Sequence, residues 1–253
     1  VWYAFVNPSR RVKEGEEIQF GGLSLLLKTD VGGGKWIVRF QSKTQLDKII
    51  SHYGHVPLPH YIKRDDKPSD LRRYQTVFAD ATKMGAVAAP TAGFHFTRPL
   101  LRSLQGRGVR FVELTLHVGP GTYKPVKVNE IEDHTVDPEF AELTPDSADV
   151  LNRVRNEGRD IFAVGTTSVR TLESAPIIDG VIMPFTGMVD LYIKPGFQFK
   201  VIDHLITNFH LPKSSLLILV SALAGRERIL DAYREAIQQR LRFYSYGDAM
   251  LII

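Results

Sequence analysis

The sequence predicts an α/β protein in which a mostly parallel α/β main domain follows a smaller antiparallel β-barrel-like domain. Three observations lead there. Residues 1–41 read as short apolar strands punctuated by glycine, and from about residue 70 apolar strands alternate with capped helices. Between the two patterns Pro57-Leu58-Pro59 breaks regular structure, which sets the boundary: 1–56 as part of a small β domain and 57–253 as the α/β main domain. The 253 residues are 43% apolar and 24% charged, which fits one or two domains with a proper core and excludes disorder or a fibrous repeat. There is no cysteine, so a disulfide framework, a thiolate zinc site and a cysteine nucleophile are excluded, and a cytoplasmic location is expected. The longest apolar run, Leu216 to Leu223, contains Ser221 and falls far short of the ~20 residues of a membrane span. Val1 stands inside a strand-like pattern with no signal-peptide succession, and reads as a truncated start with the first part of the small domain outside the sequence.

In the small domain the strand signals are Ile18 to Phe20, Leu23 to Leu27 and Trp36 to Phe40, followed by a helix over Thr44 to Tyr53 closed by Gly54. In the main domain Thr97 with Pro99 starts a helix ended by Gly106 or Gly108, and Val109 to Val118 reads as a strand. Thr144-Pro145-Asp146 caps a helix running to Gly158, with Ile161 to Val164 as the short buried strand after it. One of Thr166, Thr167 and Ser168 caps a helix through Glu173. Val189 to Ile193 and Leu205 to Thr207 are further strands, and a long helical stretch from Ser214 to Arg240 breaks near Gly225. The repeated strand, helix, strand order argues for parallel connections.

Ligands in such sheets bind beyond the carboxyl ends of the strands. Four of those positions are polar or rich in glycine: 117–122, 164–168, 194–196 and 207–214. Four well-made turns account for the Gly and Pro, but not for His117, Asn208 and His210 in the same places. On the Val112 to Val118 strand a period of two puts Glu113, Thr115 and His117 on one face, so His117 stands beside the Gly-rich turn. Its near-neutral titration suits acid or base work, although a histidine at a strand end is more often structural. Thr166-Thr167-Ser168 offers backbone N–H groups and hydroxyls to a carboxylate or phosphate, and Lys213-Ser214-Ser215 is a second helix start with the same ambiguity. Signatures for phosphate-binding loops, dinucleotide folds, α/β-hydrolases and zincins are missing, and His52 and His55 lack partners for a metal. The net charge is +4, with 13 basic and 8 acidic residues before position 76. Arg10, Arg11 and Lys13 form one cluster and Lys63, Arg64, Arg72 and Arg73 a looser one, a solvated surface or a phosphate footing.

The small residues of Gly85 to Thr97 allow close backbone approach to a ligand, with His95 and Thr97 at the entrance of a helix. This segment, with Arg73-Tyr74-Gln75-Thr76 before it, closely resembles the S-adenosylmethionine:tRNA ribosyltransferase-isomerase family of queuosine biosynthesis (the QueA family). The same pattern continues through Thr115 to Gly119, Ala163 to Arg170, Pro195 to Phe199, Leu205 to Ser214 and Phe243 to Leu251, six motifs in order from about Pro57 to the C-terminus. Two departures stand out. Family members usually carry a further N-terminal segment, which places part of the substrate surface outside this sequence. Three residues after His134 the family often has a second histidine where this chain has Asp137, although Glu139 fits the pattern.

The resemblance implies transfer and isomerisation of the ribosyl part of S-adenosylmethionine onto 7-aminomethyl-7-deazaguanine at the wobble position of a tRNA with a GUN anticodon. The product is epoxyqueuosine, with adenine and methionine released. S-adenosylmethionine is then a consumed substrate, no cofactor is bound permanently, no metal is implied, and a monomer is expected. A base must take a proton from the carbon beside the sulfonium, and an acid should assist adenine departure. His95, His117 and His210 are the catalytic candidates, with base and acid unassigned among them. For the sulfonium and the methionine ammonium the carboxylates are Glu173 and Asp248, with Glu113 and Asp190 behind them. The methionine carboxylate suits Thr166-Thr167 or Arg170, the latter otherwise an exposed helix pair with Glu173. Tyr74, Phe94, Phe96 and Tyr246 are candidate walls for the deazaguanine, with Asn208 or Gln75 as readers, although Phe96 suits the core. Thr91, Gly93, Gly119 and Gly121 complete the binding loops, and the basic excess before residue 76 is the expected tRNA footing. Two other classes stay open: a nucleosidase or methyltransferase on the same scaffold, and a non-catalytic RNA-binding module.

Overall fold

The structure, a computed structural model, describes residues 1–20, 23–59, 61–119 and 125–253. The chain divides into two compact units, Val1–Val56 and Pro57–Ile253. In the first, β1 (Trp2–Phe5), β2 (Glu17–Phe20), β3 (Leu23–Gly32) and β4 (Lys35–Phe40) pair antiparallel in the order β1-β4-β3-β2, before helix α1 (Lys43–Tyr53). Leu25 and Leu27 on β3 and Trp36 and Val38 on β4 alternate inward and make the small core, as a period of two on a one-sided sheet requires. The indole N–H of Trp36 is satisfied by Ser9 Oγ at 2.8 Å. The expected barrel-like closure is not what forms. Among the described residues β1 bonds only to β4 and β2 only to β3, which leaves an open sheet with two edges.

The second unit carries helices α2 (Asp70–Arg73), α3 (Arg98–Gly106), α4 (Pro145–Asn156), α5 (Thr166–Ser174), α6 (Ser215–Ala224) and α7 (Arg226–Gln238). Its strands are β5 (Thr115–His117), β6 (Glu139–Leu143), β7 (Phe162–Val164), β8 (Ile177–Ile178), β9 (Val181–Ile182), β10 (Phe185–Val189), β11 (His204–Asn208) and β12 (Ala249–Ile252). They form sheets β10-β6-β5 and β12-β11-β7 and the hairpin β8-β9. The expectation of a mostly parallel sheet is corrected here. β7 and β11 are the one parallel pair among the described strands, and every other pairing is antiparallel. Helices between strands suggested crossovers, but β6 and β10 show the alternating burial of strands covered on one face, the antiparallel habit. The strand expected at Val189 to Ile193 lies earlier, over β10, and the expected Val109 to Val118 strand shrinks to β5.

Helix boundaries follow local chemistry. Thr97 and Thr144 each accept a backbone N–H three residues on, with proline in the first turn behind them, and Ser214 does the same for α6. Ala148, Leu151 and Val154 set one face of α4 on a core that includes Leu143, Val169, Ile182, Ile193, Leu205, Leu219 and Val220. Because β7 and β11 run parallel, the chain leaves both at the same sheet edge, into Gly165-Thr166 and Phe209-His210.

Candidate functional site

That shared edge opens on a cavity of about 280 Å³, near the lower end of small-molecule sites at ~300–1,000 Å³. Its walls come from far-separated runs of sequence: Ala89 to Ala92, Val118, Gly165 to Thr167, Thr207 to Ser214, and Tyr244 with Ser245. Five of the six motifs read from the sequence therefore meet around one space, and Pro195 to Phe199 is the exception.

Gly165 shapes the first wall. Its φ of 91° with ψ of 145° is a backbone region that only glycine enters freely, and its N–H closes onto Ile206 O at 2.9 Å. No hydroxyl caps α5, contrary to the sequence expectation. Ser168 Oγ instead donates back to Val164 O at 2.8 Å and Thr171 Oγ1 to Thr167 O at 3.0 Å. With no side chain at the N-cap, the first N–H groups of α5 and the positive end of its dipole stand at the cavity wall beside Thr166 and Thr167.

Asn208 ends β11 and joins three neighbours: its Oδ1 accepts from Thr91 Oγ1 at 3.0 Å, and its Nδ2 lies 3.1 Å from Tyr244 O and 2.8 Å from His95 Nε2. His95 stands behind this wall rather than in it. Burial lowers its basicity, against a smaller upward pull from the Asp248 charge. His210 lines the cavity but is 9% exposed, its Nε2 3.1 Å from Thr207 Oγ1 and its backbone N–H donating to Tyr233 OH at 2.7 Å. Burial pushes its pKa down to about 4 and that of Tyr233 up to about 12, so His210 is neutral near pH 7.

His117 belongs to a smaller recess that shares Val118 and Thr167 with the main cavity and adds Glu139 and Arg170. Its ring lies against Phe140, centroids 4.9 Å apart, and its buried Nε2 has no partner among the described residues. A Cβ at Gly85 would stand 2.7 Å from that ring, so only glycine fits there. The three candidate histidines thus occupy three surroundings and do not share one cavity wall.

Arg170 and Glu173 are not the exposed pair that their spacing suggested. The Arg170 guanidinium bonds Glu139 Oε2 at 2.7 Å, Leu191 O at 3.0 Å and Val189 O at 3.1 Å, while Glu139 Oε1 accepts the Gly119 N–H at 2.8 Å. It clamps α5 and lines the recess, so it is not aimed at a ligand in the cavity. Glu173 accepts the N–H groups of Lys200, Val201 and Ile202 and holds that loop. Asp248 is held by Arg242, whose backbone N–H and guanidinium keep its carboxyl below the usual range. Glu113 and Asp190 are exposed, and no carboxylate is among the described residues lining the cavity.

Tyr74, Phe94 and Tyr246 pack on one another outside the cavity lining, with the Phe94 and Tyr246 rings stacked at 5.4 Å and Tyr74 buried. Gly93 is buried against Thr76 and Phe78, Phe96 is buried on Phe78, and Gln75 is exposed. Gly121 lies outside the described residues. The aromatic rings that do line the cavity, Tyr61, Tyr244 and Phe209, were not singled out from the sequence. Tyr61 hydrogen-bonds Ser245 and packs on Tyr244, and no sequence signal marks it. Of the basic clusters, Arg64 is taken by buried Asp70 at 2.7 Å, which lowers the Asp70 pKa to about 2, whereas Arg72 and Arg73 are exposed. Among the described residues no three metal-ligating side chains gather, and no helix is long and apolar enough to cross a membrane.

A family model described as queuosine biosynthesis protein matches residues 1–252. A protein of Desulforamulus reducens named S-adenosylmethionine:tRNA ribosyltransferase-isomerase is 48% identical, over all of this chain and 73% of its own length. One of the same name from Aquifex aeolicus is 52% identical over 87% of this chain and 64% of its own length. Among solved structures, an S-adenosylmethionine tRNA ribosyltransferase from Thermotoga maritima superposes with a TM-score of 0.53 at 35% identity, covering 100% of this chain and 70% of that one. The mixed α/β architecture, the ring of motifs around one cavity and the match along the whole length agree: the chain belongs to the queuosine biosynthesis protein family.

Proposed function

We propose that this chain transfers and isomerises the ribosyl moiety of S-adenosylmethionine onto 7-aminomethyl-7-deazaguanine at the wobble position of tRNA, yielding epoxyqueuosine and releasing adenine and methionine. The observation that carries this reading is the convergence of five family motifs on one cavity beside an uncapped helix start. S-adenosylmethionine is consumed as substrate. The tRNA carries a GUN anticodon, and the enzyme acts as a monomer in the cytoplasm.

In this reading the methionine carboxylate rests on the first N–H groups of α5 with the Thr166 and Thr167 hydroxyls. The neutral His210 sits at the edge where β11 ends, in reach of a group in the cavity, while His117 bears on the reaction from the recess through the shared Thr167. Tyr61 and Tyr244 supply apolar faces to the adenosine part. The deazaguanine stacks on the open face of Tyr246, which is 42% exposed and backed by Phe94 and Tyr74. The tRNA phosphates meet the exposed Arg72 and Arg73.

The test is adenine release from S-adenosylmethionine with and without tRNA bearing the deazaguanine, followed by the mass of the modified nucleoside. Release that depends on this tRNA, with the epoxyqueuosine mass, is the expected result. Release without tRNA identifies a nucleosidase instead, and a methylated nucleoside with no free adenine a methyltransferase.

A further inference from the structure

The side chain of Asn208 is held from three directions, and the chemistry of its neighbours fixes which way its amide faces. A main-chain carbonyl only accepts, so the end 3.1 Å from Tyr244 O must be the NH₂ end, and the end that receives the Thr91 hydroxyl must be the oxygen. The reverse orientation would set two oxygens against each other. Tyr244, at a φ of 71°, offers the same carbonyl to the Gly247 N–H at 3.0 Å, which confirms it as an acceptor. Residues other than glycine enter this region at a cost, and the packing around the turn maintains it.

With one amide hydrogen on Tyr244, the other points at His95 Nε2, 2.8 Å away. Nε2 must then present its lone pair, and a neutral imidazole that does so carries its hydrogen on Nδ1. We infer that Asn208 is a positioning residue that locks His95 as the Nδ1–H tautomer, so that neither ring nitrogen offers a free lone pair and His95 is not the base. Both lone-pair routes to base chemistry are closed, since Nε2 is occupied and Nδ1 is protonated. Protonation of Nε2 would oppose two N–H groups across the same contact. His95 then takes up no proton in the reaction, and the proton beside the sulfonium is taken elsewhere. The exclusion of His95 as the base rests on the proposed transferase reading, whereas the tautomer does not.

The experiment is a long-range ¹H–¹⁵N correlation spectrum of the full chain labelled at histidine, at neutral pH without ligand, with His95 identified by the signals lost in His95→Gln. The expected pattern is a pyrrole-like Nδ1 and a pyridine-like Nε2. A wild-type Nε2–H pattern overturns the lock. In Asn208→Asp a carboxylate faces His95, Nε2 gains the proton, and the titration midpoint rises by about one unit or more. Asp248, the charged group already acting on His95, is present in both proteins and cancels. An unchanged nitrogen pattern in Asn208→Asp also overturns the lock. The spectra stand or fall without turnover, so their failure is distinct from failure of the transferase reading.

Discussion

Two helices begin at the same cavity, and their first turns are finished differently. At α6 the Ser214 hydroxyl accepts the Leu217 N–H at 3.2 Å and donates to Leu211 O at 2.7 Å, so the helix start is closed by its own side chain. At α5 the N-cap is Gly165, which has nothing to close with, and the hydroxyls of Ser168 and Thr171 bond backward to carbonyls. Both starts have hydroxyl-rich sequence, Thr166-Thr167-Ser168 and Ser214-Ser215, and read alike. The difference teaches that the N-cap residue decides: a glycine at positive φ leaves the N–H groups open to an anion, whereas a serine in extended geometry takes one of them with its own hydroxyl. What α5 forgoes in capping is offset by Arg170, which ties the helix to Glu139, Val189 and Leu191.

The largest way to break this contrast is to remove that anchor. Arg170→Met takes away the guanidinium that pairs with the Glu139 carboxylate, whose side chain is 11% exposed, and should cost about 3–5 kcal/mol in urea unfolding. A cost under about 1 kcal/mol would mean that α5 is held by packing alone. The α6 side responds to acid, because His210 in the loop before it has a folded pKa of about 4 against an ordinary 6.5. Above pH 6.5 neither state is protonated and nothing changes. Between 6.5 and 4 the unfolded chain binds a proton that the folded chain refuses, so stability falls by roughly 3 kcal/mol and levels off below. His210→Asn should flatten that part of the pH curve, and an unchanged slope would show that His210 protonates freely in the fold. Gly165→Ala comes next. A Cβ there meets only ordinary contacts, 3.6 Å from Ala92 Cβ, so the cost of about 1–3 kcal/mol comes from the backbone conformation. Turning the first N–H groups should also raise KM for S-adenosylmethionine.

How much of this was legible follows from range. The caps at Thr97, Thr144 and Ser214 are settled within four residues, and all three helices begin where the sequence predicts. The break at Gly225 between α6 and α7 is equally local. The strands β6, β10 and β12 are short, and their partners lie tens of residues away in sequence, so neither their extent nor their antiparallel sense is written in the segment itself. The motif loops read as ligand loops, and five of the six meet at one cavity, but what their charged residues do was not legible: Arg170 and Glu173 look like a surface pair until the fold brings Glu139 and the 200–202 backbone to them. Tyr61 was invisible because its role exists only through Tyr244 and Ser245, more than 180 residues on.

The smallest change is the sharpest test of the contrast. Ser214→Ala removes the α6 cap and should cost about 1 kcal/mol, within the ~0.5–2 kcal/mol range for such caps. Its consequence for ligand binding separates two explanations of the cavity. If α5 alone is the anion site, opening the α6 start changes KM for S-adenosylmethionine less than about twofold, because the Ser214 hydroxyl is engaged within its own turn. If the α6 start holds the carboxylate, losing the hydroxyl that orients that turn should raise KM about tenfold, a loss near 1.4 kcal/mol. Lys213, at φ 54° on the cavity wall, adds a positive charge to the α6 side, so charge alone would favour that start. An unchanged KM in Ser214→Ala together with a raised KM in Gly165→Ala would mean that the open N–H groups of α5 outweigh that charge. The reverse pair of results would move the anion to the α6 start.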